Sequence, residues 1–205
     1  LERIRLGSLE PRIITREFAE KLAGLPEFCP HFHLSLQSGC DATLKRMNRH
    51  YTTEDYLRRC GILREIFDHP AITTDVIAGF PGETEEEFEE TRRFLETVRF
   101  YEMHVFKYSK RQGTRAAVME DQVSEQVKAR RSDVLLELEK TMSREYRERF
   151  AGSRVSVLFE EAAEIGGKWY MIGRTLQYVR AALPLEDGMD REQLAGGIME
   201  LSASG

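Results

Sequence analysis

Early in the chain, polar side chains recur with the two-residue period of a β-strand, and they are of kinds that bind ligands. His31, His33, Ser35 and Gln37 alternate with Phe32, Leu34 and Leu36; Thr73 and Asp75 lead into Ile77 and Gly79; Arg3 and Arg5 flank Ile4. Successive strand residues face opposite ways, so the apolar set predicts a face packed under helices and the polar set a shared opposite face. A packed barrel centre is filled by Val, Ile and Leu. Imidazole, amide, hydroxyl, carboxylate and guanidinium groups there imply a solvated or ligand-filled centre. Taken singly, His33 also reads as a hydrogen-bonded structural histidine, and Asp75 as the partner of Arg5 or of a backbone amide.

Barrel ligands bind at the carboxyl ends of strands. Those ends are expected at Gly7 to Pro11, Gln37 to Gly39, Gly79 to Thr84 and Tyr108 to Arg111. In the third, Pro81 and Gly82 suit the centre of a type II turn, Gly79 would let a ligand approach the backbone, and Thr84 with Glu87 predicts a capping box.

The elements that position these groups alternate between short β-like and amphipathic helical runs, the texture of a parallel sheet covered by helices. Strands are expected at 4–6, 31–36, 72–78 and 103–108. Helices are expected at 16–25 behind Thr15, after Asp41, at 54–67 behind Thr53, and at 85–98. Four β/α units are too few to close a barrel. Val123, Val127, Val134, Leu138, Met142, Tyr146 and Phe150 recur at spacings that predict one long helix with an apolar stripe, docked on the sheet. Beyond Gly152, strand-like runs around a Gly166-Gly167 turn and another from Leu194 to Leu201 predict a small antiparallel module. The expected division is 1–122 for the partial barrel, 123–150 for the connecting helix and 151–205 for the β module.

With 41% apolar and 32% charged residues the composition is globular, and disorder is excluded. A net charge of −5 means that any RNA contact must be local. Two patches qualify. Lys45, Arg46 and Arg49 follow the Gln37 strand end, and Lys168, Tyr170, Arg174, Tyr178 and Arg180 interleave rings with cations as stacking platforms do. The alternative for the first patch is a solvated helix face. No apolar run is long enough for a membrane span, and a soluble, cytoplasmic setting is expected. Cys29, Cys40 and Cys60 lack the spacing of a disulfide framework or metal site and are read as small buried groups, so no metal ligand set is assigned.

Three strings, HLSLQSGCDATLKRMNRHYT from His33, TTDVIAGFPGETEEEF from Thr73 and YSKRQGTRAA from Tyr108, resemble the radical S-adenosylmethionine (SAM) methylthiotransferases, the MiaB, RimO and MtaB group. The tail, with YMIGRTLQYVRAALP from Tyr170, resembles that family's RNA-binding TRAM module, a small OB-like barrel. Leu34 to Gly39 is most similar to the MtaB branch, which acts on threonylcarbamoyladenosine next to the tRNA anticodon. The MiaB branch, acting on isopentenyl-adenosine, usually has Pro where Ser35 stands.

The resemblance implies an α/β fold, a partial TIM-like radical SAM barrel followed by the TRAM module. It implies SAM and two 4Fe-4S clusters in the full-length enzyme, a tRNA anticodon stem-loop as substrate, and addition of a methylthio group to C2 of the hypermodified adenosine. Cluster-binding cysteine sets lie upstream in the family and are absent here. The chain is therefore expected to be a C-terminal fragment that partners with missing N-terminal domains, binds no cofactor by itself and is inactive alone. Cofactor contacts implied are Arg5 or Ser8 near the methionyl end and Ser35, Gln37 or Ser38 near the ribose or base. Asp75 and Gly79 join them, with the Val76 to Phe80 segment against adenine. The competing readings are a catalytically silent RNA-binding adaptor on a degenerate barrel, and another radical SAM enzyme such as a coproporphyrinogen oxidase relative.

Overall fold

In this computed structural model, which describes residues 1–186, 189 and 191–204, two sheets are joined by one long helix. The first sheet is parallel, in the order β1 (Ser8–Leu9), β2 (His31–Leu34), β3 (Ala71–Ala78) and β4 (Glu102–Lys107). Helices α1 (Arg16–Ala23), α2 (Asp41–Arg46), α3 (Thr53–Ile66) and α4 (Glu85–Val98) lie in its crossovers. α5 (Glu125–Glu148) leads to an antiparallel sheet ordered β7 (Arg180–Pro184), β6 (Lys168–Thr175), β5 (Arg154–Ile165) and β8 (Ile198–Ser202). A short α6 (Arg191–Leu194) precedes β8. Asp187, Gly188, Asp190 and Gly205, within the expected β module, lie outside the described residues.

One face of the parallel sheet forms the core. Phe32, Leu34, Leu36, Val76 and Ala78 are fully or almost fully buried with Tyr56, Leu63, Phe88 and Leu95 from the helices. Each such large side chain contributes about 1.5–3 kcal/mol. β4 joins that core through Met103, against Leu135 and Met142 of α5.

Four boundaries depart from the sequence reading. Ile4 makes only an isolated bridge to Phe28, and the ladder begins at Ser8, opposite His33. β2 leaves β3 after His33. Thr74 Oγ1, 2.6 Å away, and the Tyr56 hydroxyl, 2.8 Å away, both donate to the Leu34 carbonyl, while the Tyr51 hydroxyl donates to the carbonyls of Ser35 and Leu36. Side chains thus satisfy backbone groups that a continuous ladder would have paired. Finally, Thr52, not Thr53, caps α3, and Asp41 accepts from the Thr53 amide instead of capping α2, whose N-cap is Cys40.

α5 also differs from its expected stripe. Val123 precedes the helix, whose N-cap is Ser124, and the first turns bury Lys128 and Arg131. These cations face the loop after β3. Arg131 Nη1 donates to Glu83 Oε2 at 2.7 Å, both side chains being almost completely buried. Burial lifts the Glu83 carboxyl above its usual range despite the Gly79 amide and Arg131. The loop itself follows its sequence. Phe80 O accepts from the Glu83 amide across Pro81 and Gly82 (φ +78), and the Thr84–Glu87 capping box opens α4.

Candidate cofactor and RNA site

The register assembles one continuous inner face. Ser8 stands opposite His33, His33 opposite Thr73, and Asp75 opposite His104; alternation adds Ile77 from β3 and Phe106 from β4. Where this face reaches the carboxyl ends of β3 and β4, a cavity of about 550 Å³ opens, bordered by Gln37, Asp75, Ile77, Phe80, Tyr108 and Arg111.

Gln37 enters this cavity because the chain after β2 is irregular. Its amide donates to Asp75 O and its carbonyl accepts from the Ile77 amide, both at 2.9 Å, with φ at +74. A left-handed non-glycine residue costs roughly 1–3 kcal/mol and persists where surrounding structure over-determines it, commonly at binding sites. Opposite it, Phe80 and Tyr108 meet edge to face at 5.4 Å. The buried Tyr108 hydroxyl has no partner among the described residues. Arg49, Lys107 and Arg111 border the same cavity, and none makes an ion pair among the described residues.

Other expected contacts stand elsewhere. Arg5 lies below the ladder, at the amino end, its guanidinium 3.7 Å over the Tyr178 ring. It cannot serve a ligand at the opposite end of the strands. Ser38 is fully buried, its hydroxyl 3.2 Å from Thr91 Oγ1 and accepting from the Cys40 amide. Gly79 has a packing reason for lacking a side chain: at φ +74, a Cβ would sit 2.4 Å from Lys128 Cγ, so what approaches its backbone is α5. Ser8 is exposed on the inner face, and Ser35 is half-buried beside the broken end of β2. His104 was not singled out in the sequence; the alternation Glu102, His104, Phe106 in β4 is the signal that could have found it.

The RNA candidates divide similarly. Lys45, Arg49, Lys168 and Arg180 are exposed, and Tyr170 is half-buried. Arg46 is clamped by both carboxylate oxygens of Glu87, and that hydrogen bonding raises its pKa. Arg174 and Tyr178 belong to the junction between the sheets: Arg174 lies 4.5 Å over the Tyr178 ring, which packs 5.1 Å from His31. Arg46, Arg174 and Tyr178 are thus half-buried, each with a partner inside the fold. Trp169, exposed with Arg191 4.0 Å over its ring, is a ring the sequence reading passed over.

The profile of the Radical SAM superfamily matches residues 2–95. A tRNA-2-methylthio-N(6)-dimethylallyladenosine synthase of Acetivibrio thermocellus is 43% identical over 175 residues, 85% of this chain and 36% of the relative. The threonylcarbamoyladenosine tRNA methylthiotransferase MtaB of Bacillus subtilis is 42% identical over 181 residues, 88% of this chain and 40% of its own length. Over most of its length this chain is similar to radical SAM methylthiotransferases. It spans about two-fifths or less of these relatives. Among solved structures, coproporphyrinogen III oxidase (HemN) from Escherichia coli matches with a TM-score of 0.55 at 22% identity, over 69% of this chain and 32% of that one. That likeness shows the radical SAM α/β fold, not a shared substrate. No helix among the described residues is long and apolar enough to cross a membrane.

The likeness implies SAM and iron–sulfur clusters, and the residues present fit only the first. Cys29, Cys40 and Cys60 are buried on separate segments, and burial raises each thiol pKa, that of Cys60 to about 12. Buried protonated thiols are not cluster ligands. The cavity, by contrast, offers a carboxamide, apolar walls and cations without ion-pair partners among the described residues, which suits a nucleoside carrying an amino-acid tail.

Proposed function

We propose that this chain forms the cofactor- and substrate-facing wall of a tRNA methylthiotransferase that adds a methylthio group to C2 of threonylcarbamoyladenosine beside the anticodon. The cavity at the carboxyl ends of β3 and β4, with Gln37 held in it against the backbone's preference, carries the proposal. Ile77 and Phe80 would pack against the adenine of SAM, Gln37 would hydrogen-bond its ribose, and Arg49, Lys107 or Arg111 would hold its carboxylate. When bound, SAM supplies the radical and the methyl group in this family. The chain's own contribution is to orient the nucleoside and limit water at the apolar wall.

The threonylcarbamoyl assignment rests on Ser35 in the Leu34 to Gly39 string, because relatives named for either adenosine are equally similar. The antiparallel sheet is proposed to act as the TRAM module, with exposed Lys168 and Arg180 meeting tRNA phosphates.

The test uses the complete gene product, reconstituted without oxygen and supplied with hypomodified tRNA. Nucleoside mass spectrometry is expected to show methylthio-threonylcarbamoyladenosine. Methylthiolation of dimethylallyladenosine instead would reject the subfamily, and neither product would reject the activity. Gln37→Ala is expected to slow turnover 10- to 100-fold while leaving tRNA affinity unchanged.

A further inference from the structure

We propose that His33, Asp75 and His104 form a binding site for a divalent transition metal, with at least one coordination position left open at the edge of the cavity. The three residues come from adjacent strands β2, β3 and β4 and share the inner face. One donor atom from each lies within 4.8 Å of the others. His33 Nε2 is 3.4 Å from Asp75 Oδ2, and the His33 and His104 rings stack at 5.8 Å between centroids with 28° between their planes.

The other nitrogen of His33 supplies the orienting contact. Nδ1 lies 3.0 Å from Thr73 Oγ1, on a threonine that is only 2% exposed. When Nδ1–H donates to that hydroxyl, Nε2 carries a lone pair directed at a carboxylate oxygen. Without a metal the other tautomer turns Nε2–H toward Asp75 Oδ2, so a bound ion would select the tautomer that leaves Nε2 free to ligate. At 3.4 Å Nε2 and Oδ2 are already spaced as two ligands on one tetrahedral ion are, since bonds of about 2.0–2.1 Å place ligand atoms roughly 3.3–3.4 Å apart. A hydrogen bond holding the far nitrogen of a ligating histidine is the usual outer support of such centres. His104 is exposed, so its side chain is free to turn the remaining distance.

Two imidazoles and one carboxylate select Zn²⁺, Fe²⁺ or Co²⁺ over Mg²⁺ or Ca²⁺, which prefer oxygen-only sets. Three protein ligands leave a position for water or a substrate atom, and Asp75 also borders the cavity, so that position adjoins it. The inference stands independently of the methylthiotransferase reading, because it uses neither SAM nor the clusters.

The purified 205-residue chain, stripped with a chelator, is titrated with Co²⁺ and with Zn²⁺ in competition with a chromophoric chelator. One equivalent is expected to bind, with visible cobalt bands and no thiolate charge-transfer band. His104→Gln and Asp75→Asn are each expected to weaken binding at least 10-fold, while the exposed His50→Gln and His69→Gln variants bind as the parent does. Thr73→Val, which removes only the orienting contact, is expected to weaken affinity 10- to 100-fold at unchanged stoichiometry. Because His104 is exposed, its substitution cannot abolish binding by unfolding the core, and circular dichroism checks the Asp75 variant. Absence of uptake would reduce the cluster to an ordinary His–Asp ion pair and overturn the proposal. So would a thiolate band, or undiminished binding in His104→Gln.

Discussion

The parallel sheet uses the same residue types differently at its two ends. At the amino end, Arg3 donates to the Arg174 carbonyl and to Ser156, Arg5 and Arg174 lie over Tyr178, and His31 packs against that ring. Val179 completes the junction by packing with Ala71, Tyr101 and Tyr146. Cations and a ring that resemble a binding surface are there the seam between two sheets. At the carboxyl end, Arg49, Lys107 and Arg111 have no ion-pair partner among the described residues, and Tyr108 has an unpartnered hydroxyl. The difference shows that a cation marks a ligand site only where no carbonyl, carboxylate or ring within the fold has already taken it.

The comparison is broken most severely through the α5 clamp on the loop after β3. Arg131→Met leaves Glu83 buried without its guanidinium and is expected to cost about 3–5 kcal/mol in urea denaturation. Without Arg131 the Glu83 carboxyl holds its proton more readily in the folded than in the unfolded chain, so the deficit should grow as pH rises and shrink in acid. A deficit independent of pH would mean that Glu83 is not the group exposed by the change.

At the other end, acid should loosen the seam. Burial, then Arg5, His33 and Arg174, lower the His31 pKa from 6.5 to about 4. The unfolded chain therefore binds this proton at higher pH than the folded chain. Stability is expected to fall between pH 6.5 and 4 and to level off below, by about 3 kcal/mol at most. His31→Phe should flatten that part of the pH profile, and an unchanged profile would assign the acid sensitivity elsewhere.

Smaller effects separate packing from binding. Gly79→Ala forces a left-handed alanine against Lys128 and is expected to cost about 1–2 kcal/mol from the backbone alone. Lys168→Gln and Arg180→Gln should each lower the salt dependence of anticodon stem-loop binding by about one unit of slope. Arg5→Gln should leave that slope intact and cost about 1 kcal/mol of stability, as loss of its place over Tyr178 requires. A reduced slope for Arg5→Gln would move the RNA surface to the seam.

Much of this was legible from pattern. The alternation of His31 and His33 with Phe32 and Leu34 marked the inner face, because a sheet with one apolar face must bury it. Gly82, Thr84 and Glu87 specified their turn and cap through contacts a few residues apart. The strings around Gln37, Gly79 and Tyr108 carried the resemblance.

Side-chain partners distant in sequence were decided only by the tertiary structure. Arg5 and Tyr178 are 173 positions apart in the sequence, and Glu83 and Arg131 are 48 apart. No local period encodes which of the exposed-looking cations finds such a partner. The register that sets Asp75 beside His104, and the turn of α5 that directs Lys128 at Gly79, likewise depend on packing between whole elements. Local hydrogen bonds and hydrophobic periodicity act within a turn or a strand, whereas ion pairs, ring stacks and metal-ligand geometry need the closed chain.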